Sequence, residues 1–191
     1  MTNKKMEEEL IKACENNISE EVKSLIEKGV DINAQYDGWT PLTLASSSGY
    51  LKIVKFLVEK GADINAKSNC GWTALMWASV IGDFEIVKYL VENGADINAK
   101  NDYGWTALML ALNSKQSEKI TNYLMEKGGV IDFKKNNKKD NGAELLLYNI
   151  INWSIINSGN LKMIDTLIRN SADEDIKKFF KNIDDKFSNE I

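Results

Sequence analysis

The chain has 191 residues, 43% of them apolar, with a net charge of −4, two cysteines and no histidine. That length and composition suit a single soluble domain with a substantial core. A mildly acidic chain whose one arginine is Arg169 offers neither the basic field nor the bidentate contacts of nucleic-acid recognition, and without histidine it lacks the usual proton shuttle and favoured metal ligand.

Residues 1–9 contain no apolar core of the kind a secretory signal requires, and nowhere does a run of about 18 apolar residues occur that could span a bilayer. These features predict a cytoplasmic protein with no membrane contact. Leu10, Ala13, Val22, Leu25 and Ile26, followed by Gly29, Asp31, Ile32 and Asn33, outline a first helix pair with a polar outer face. We take residues 1–35 as an N-terminal cap. Cys14 lies here and Cys70 further on, too far apart in sequence to suggest a metal-ligand pair, so both read as reduced thiols with no metal or cofactor expected.

From residue 36 a block recurs. Gly38-Trp39-Thr40-Pro41-Leu42 returns as Gly71-Trp72-Thr73-Ala74-Leu75 and as Gly104-Trp105-Thr106-Ala107-Leu108, and Gly61-Ala62-Asp63-Ile64-Asn65 returns as Gly94-Ala95-Asp96-Ile97-Asn98. The period is about 33 residues, which marks one small unit stacked on copies of itself over 36–67, 68–100 and 101–134. In each unit a threonine caps a short first helix, and Pro41 suits the first helical position because no amide donor is needed there. The second helix carries one apolar stripe, Ile53, Val54, Leu57 and Val58, and Gly61 stands where a left-handed residue closes a helix. Small Ala45, Ala78 and Ala111 predict close approach of neighbouring first helices. Asp63 and Asp96, with Asn65 and Asn98, read as turn formers.

After Gly128 and Gly129 the register breaks. Lys134, Lys135, Lys138 and Lys139 suggest a basic loop, and Gly159-Asn160-Leu161-Lys162-Met163-Ile164 then mirrors Gly49-Tyr50-Leu51-Lys52-Ile53-Val54. This predicts a divergent unit over 135–170, its elongated first helix spanning roughly 142–157. Ile176, Phe179, Phe180, Ile183 and Phe187 fall on one helical face, so 171–191 reads as a C-terminal helix that covers the open end of the stack or docks a partner.

The repeated unit resembles the ankyrin repeat. The family signature Thr-Pro-Leu-His-x-Ala stands here as Thr40-Pro41-Leu42-Thr43-Leu44-Ala45, the likeness being strongest over 36–100 and good to about 134. Thr43, Met76 and Met109 occupy the place of the family's histidine, so the bonds that tie adjacent loops must differ. The resemblance implies an all-α solenoid of about five helix-turn-helix repeats with projecting loops, plus a C-terminal capping helix. It also implies a non-catalytic protein-protein interaction module, a scaffold or adaptor, working as a monomer and binding another protein on its concave face. An inhibitor or immunity-type protein that blocks an enzyme, or a secreted microbial effector, are the alternatives. An enzyme is not expected, since no phosphate-cradling glycine loop accompanies the missing histidine.

Mapped onto that family, Trp39, Trp72 and Trp105 occupy the variable loop position and would form a ladder with rungs about 10 Å apart. Leu44, Trp77 and Leu110 take the variable position of the inner helices, with Val80 and Ile81 beside Trp77. Two readings stand for the tryptophans: stiffening of neighbouring loops, or partner binding, for which exposed tryptophan is the residue most enriched. The lysines of the inserted loop would either steer an acidic partner or merely be solvated.

Overall fold

Each short helix begins with a threonine whose side chain does what the broken backbone ladder cannot. In the computed structural model, which describes residues 3–112 and 118–131, Thr40 Oγ1 accepts the Thr43 N–H at 3.2 Å and Thr43 Oγ1 accepts the Thr40 N–H at 3.0 Å. Two donors orphaned by the start of the helix are thereby satisfied reciprocally. Thr73 and Thr106 accept the Met76 and Met109 N–H groups at 3.3 Å, and the methionine sulfurs in turn accept the threonine N–H groups at 3.5 and 3.4 Å. The residues in place of the family's histidine therefore close the cap of their own helix.

The described residues form eight α-helices in four pairs: α1 (Asn3–Glu15) with α2 (Ser19–Glu27), α3 (Pro41–Ser47) with α4 (Leu51–Glu59), α5 (Ala74–Ile81) with α6 (Phe84–Glu92), and α7 (Ala107–Leu112) with α8 (Glu118–Glu126). The odd-numbered helices stack in one layer, α1 on α3 on α5 on α7, and the even-numbered helices in a second. Among the described residues the β-like pairing consists of a single bridge between Tyr36 and Trp39, so the fold is the all-α repeat solenoid that the sequence predicts. The basic loop, the divergent unit over 135–170 and the C-terminal helix over 171–191 lie outside the described residues.

Equivalent positions line the space between the layers. Leu10, Leu42, Leu75 and Leu108 form one buried row, and Leu25, Leu57, Leu90 and Leu124 another. Each buried leucine contributes about 1.5–3 kcal/mol by leaving water. A row of small residues, Ala13, Ala45, Ala78 and Ala111, lets consecutive inner helices pack closely. Each outer helix ends in the same way. Gly61, at φ +88°, donates to Val58 O at 3.0 Å, and Ala62 donates to Leu57 O at 2.9 Å, which satisfies two carbonyls left open by the helix end. The same pair of bonds closes α2, α6 and α8 through Gly29, Gly94 and Gly128.

The loops are tied across the stack by asparagines. Asn33 Oδ1 accepts the Asp63 N–H at 2.8 Å, Asn65 Oδ1 accepts the Asp96 N–H at 2.8 Å, and Asn98 Oδ1 accepts the Val130 N–H at 2.9 Å. Within each loop Asp31, Asp63 and Asp96 accept the N–H two residues on, each at 2.9 Å. These aspartates are turn formers, and their asparagine neighbours join one unit to the next.

Candidate functional site

Three finger loops project between the pairs, and their lengths differ. Tyr36 and Trp39 exchange N–H···O bonds at 3.1 and 3.0 Å across a two-residue turn. The next fingers span one residue more, closed by Ser68 N–H on Trp72 O at 2.7 Å and by Asn101 N–H on Trp105 O at 3.1 Å. Backbone bonds fasten the fingertips in series: Asn69 N–H donates to Gly38 O at 2.7 Å, and Asp102 N–H to Cys70 O at 3.0 Å. The approach is too close for a side chain. A Cβ on Gly38 would meet Asn69 Nδ2 at 1.8 Å, and one on Gly71 would meet Asp102 Oδ1 at 2.7 Å.

This geometry revises the expected tryptophan ladder. Trp77, from α5, packs against Trp39 with ring centroids 4.9 Å apart and against Trp72 at 4.4 Å, the latter pair stacked. Its indole Nε1–H donates to Ser68 Oγ at 3.4 Å. The result is one three-ring cluster joining two fingers to an inner helix, with all three rings half-buried. Offset stacks of this kind are worth about 0.5–1.5 kcal/mol each beyond area burial. Trp105 stands outside the cluster, half-buried, its N–H held by Asn101 Oδ1 at 2.9 Å.

The remaining predicted residues divide by exposure. Leu44 is half-buried against the core, while Val80 and Ile81 are exposed at 36% and 40%. Leu110 is 8% exposed, and every residue of α7 is buried, so Leu110 offers almost no surface and the expectation that it lines an open face is corrected. Position in the repeat placed it on the inner helix; only packing shows that it is covered there. The sequence marked Cys70 as a reduced thiol but gave it no neighbour; the structure exposes it at the fingertips with Asp37, Asp102 and Tyr103. Tyr103 OH donates to Cys70 Sγ at 3.7 Å, and that contact pushes the phenol above its ordinary range. One signal could have found the pair: the two residues are a single period apart.

Charge of both signs lies near the cluster: Asp37 and Asp102 on the fingertips, and Lys67, next to the Ser68 that Trp77 bonds, with its Nζ on Lys100 O at 3.0 Å. Asp37 precedes Gly38 and Trp39, and Asp102 Oδ1 faces Gly71, which precedes Trp72. Among the described residues neither carboxylate has a lysine partner. Lys12, on the equivalent face of α1, is held by Glu8 at 2.6 Å, a pair that lowers the carboxyl and raises the ammonium relative to their usual values. No group of three or more histidine, cysteine, aspartate or glutamate side chains gathers as a metal site among the described residues, and no helix there is long and apolar enough to cross a membrane.

A family model described as ankyrin repeats (3 copies) matches residues 1–68 and again 64–140. No curated protein matches the chain. The capped helix pairs, the fingers between them and this match over most of the sequence place the chain in the ankyrin-repeat family, whose members are generally protein-protein interaction modules and typically non-catalytic.

Proposed function

We propose that this chain is a non-catalytic scaffold or adaptor that binds a protein partner across the inner helices and fingers. The observation that carries this reading is the cluster of Trp39, Trp72 and Trp77 beside exposed Val80 and Ile81. Rings already packed on one another lose little entropy when a partner covers them, and partly exposed aromatic groups next to aliphatic ones supply most of the affinity at protein interfaces. Leu44 and Trp105 extend the surface to either side; Leu110, being buried, takes no part. The cytoplasm is the proposed compartment, a monomer the working form, and neither nucleic acid nor membrane a partner; the net charge of −4 and the single arginine support the exclusion of nucleic acid.

The test is affinity capture with the wild-type chain and with Val80→Asp/Ile81→Asp, two changes at exposed positions that leave the core intact. A protein held by the wild type and lost from the variant supports the surface. Equal recovery by both moves the binding site elsewhere and overturns the reading.

A further inference from the structure

The two ends of the described stack are finished differently. In α2, Glu21 occupies the place that Ile53, Ile86 and Ile120 hold in the later outer helices; it is exposed, whereas each of them is buried. No unit precedes α2, so this row marks the flank of an outer helix that meets the unit before it. At the free edge the row carries a charge, as the end unit of a stack requires. The next residue along, about 100° round the helix, marks the opposite flank, which meets the following unit. Val22, Val54 and Val87 fill that row and are fully buried, and each of their helices has a following outer helix packed on it. Thr121 continues the row in α8, and no described element lies beyond it. Yet Thr121 is 0% exposed, and its Oγ1, out of reach of water, has no hydrogen-bond partner among the described residues. Every residue of α7 is buried as well, and Ile131, in the loop that closes α8, is buried where Ile32, Ile64 and Ile97 are half-buried. This flank of the last described pair is a covered edge, not a finished end.

The chain that follows has the length and the pattern to cover it. Ala74 lies ten residues after Ile64, and Ala107 lies ten residues after Ile97; each alanine opens the next inner helix. The same step from Ile131 reaches 141, and the first helix of the divergent unit is predicted from 142. Its second helix repeats the flanks: Met163 stands in the row of Ile53 and Ile86, Ile164 in that of Val54 and Val87, and Leu167 in that of Leu57 and Leu90. Where the N-terminal unit has Glu21, this unit has an apolar residue. We infer that residues 142–170 seat on α7 and α8 as a fifth pair, with Met163 and Leu167 turned to the flank that Thr121 occupies. A partner protein is then left the concave face and not the end of the stack.

Thiol labelling of the full-length chain carrying Thr121→Cys tests this. The change is close in size and removes an unpartnered hydroxyl, and the chain supplies its own references in buried Cys14 and exposed Cys70. A maleimide is added at neutral pH and modification is read at each cysteine by peptide mass. The thiol at position 121 is expected to react as slowly as Cys14, at least about tenfold behind Cys70. Adding Met163→Asp/Leu167→Asp, which gives this unit the kind of charge that Glu21 has at the free edge, should bring its rate close to that of Cys70 while Cys14 stays slow. Slow labelling of Cys14 in that variant shows that the stack is still folded. If Cys14 opens too, Met163→Ala/Leu167→Ala is read in its place.

Labelling at position 121 as fast as at Cys70, with the rest of the chain unaltered, would overturn the inference, because the flank would be open. So would slow labelling that the changes at Met163 and Leu167 leave as it was. Slow labelling that yields instead to Ile176→Asp/Phe180→Asp would give the cover to the predicted C-terminal helix, and slow labelling that speeds up on dilution would give it to a second copy of the chain. Either result removes residues 142–170 from the flank and overturns the assignment.

Discussion

Replacing Asn65 cuts a tie between neighbouring units without touching the core. Its Oδ1 accepts the Asp96 N–H at 2.8 Å, and its Nδ2 donates to Gly94 O at 3.4 Å, the first a good bond and the second a long one. Both loops are exposed, so water takes over part of what is lost, and Asn65→Ala is expected to cost about 0.5–1.5 kcal/mol rather than the full penalty of a buried orphan. Asn65→Asp keeps the acceptor but places a new carboxylate between those of Asp63 and Asp96, each of which already accepts a backbone N–H in its own turn. At low salt it should therefore be at least as destabilising as alanine, and it should recover in about 0.5 M salt as the repulsion is screened. Urea unfolding gives the first number. Hydrogen exchange gives the second, since the Asp96 amide should lose protection locally while the amides of α6 keep theirs. Asn33 and Asn98 make the same bond to the next loop at 2.8 and 2.9 Å, so the measurement has two internal replicates. A change in Asn65→Ala within about 0.3 kcal/mol of zero, with the Asp96 amide as protected as before, would refute the reasoning.

A double-mutant cycle on Trp72 and Trp77, each changed to alanine, should return a coupling of about 0.5–1.5 kcal/mol in urea unfolding; a value near zero would mean that the stacked rings do not support each other. Gly71→Ala forces a side chain onto a residue at φ +75° whose Cβ meets Asp102 Oδ1 at 2.7 Å, and it should cost about 1–2 kcal/mol, whereas an unchanged midpoint would show that the fingertips yield easily. Burial pushes the Cys14 thiol up from 9.0 to about 12. Because the unfolded chain releases this proton first, its contribution is fully present below pH 9 and is lost as the pH rises towards 12, by up to about 4 kcal/mol. A stability profile of Cys14→Ala that is flatter than wild type across that window supports the linkage; parallel profiles refute it. A thiol reagent at neutral pH should correspondingly label exposed Cys70 in the native chain and reach buried Cys14 only after unfolding.

The sequence revealed whatever depends on a residue's place in the period. The threonine caps, the closing glycines and the apolar stripes each rest on interactions within one unit, so a single copy carries the signal and the others repeat it. What escaped depends on how one unit meets the next. Trp77 sits five residues from Trp72, yet nothing in that spacing shows its ring lying against Trp39 of the preceding finger, because the contact crosses between units. Leu110 shares its register with Leu44 and Trp77 but is covered, and burial is a property of neighbours rather than of register. The asparagines were legible as turn formers and illegible as ties, since their acceptors bond amides 30–32 residues away. The shorter first finger was visible as a one-residue offset between Tyr36 and Ser68 against the even spacing of the tryptophans, and its effect on the turn could not be read without the backbone.

The asparagine ties have a bearing on how the chain is made. Each spans about one unit of sequence, and so do the fingertip bonds at Gly38 and Cys70. Closing a loop of that length carries a modest entropic cost, and no such tie among the described residues brings together distant parts of the chain. A nascent chain leaving the ribosome can therefore dock each helix pair on the one before it as soon as the next asparagine and its amide have emerged. Synthesis and assembly then advance at the same step, one unit at a time, and the last pair to appear waits only for its own residues.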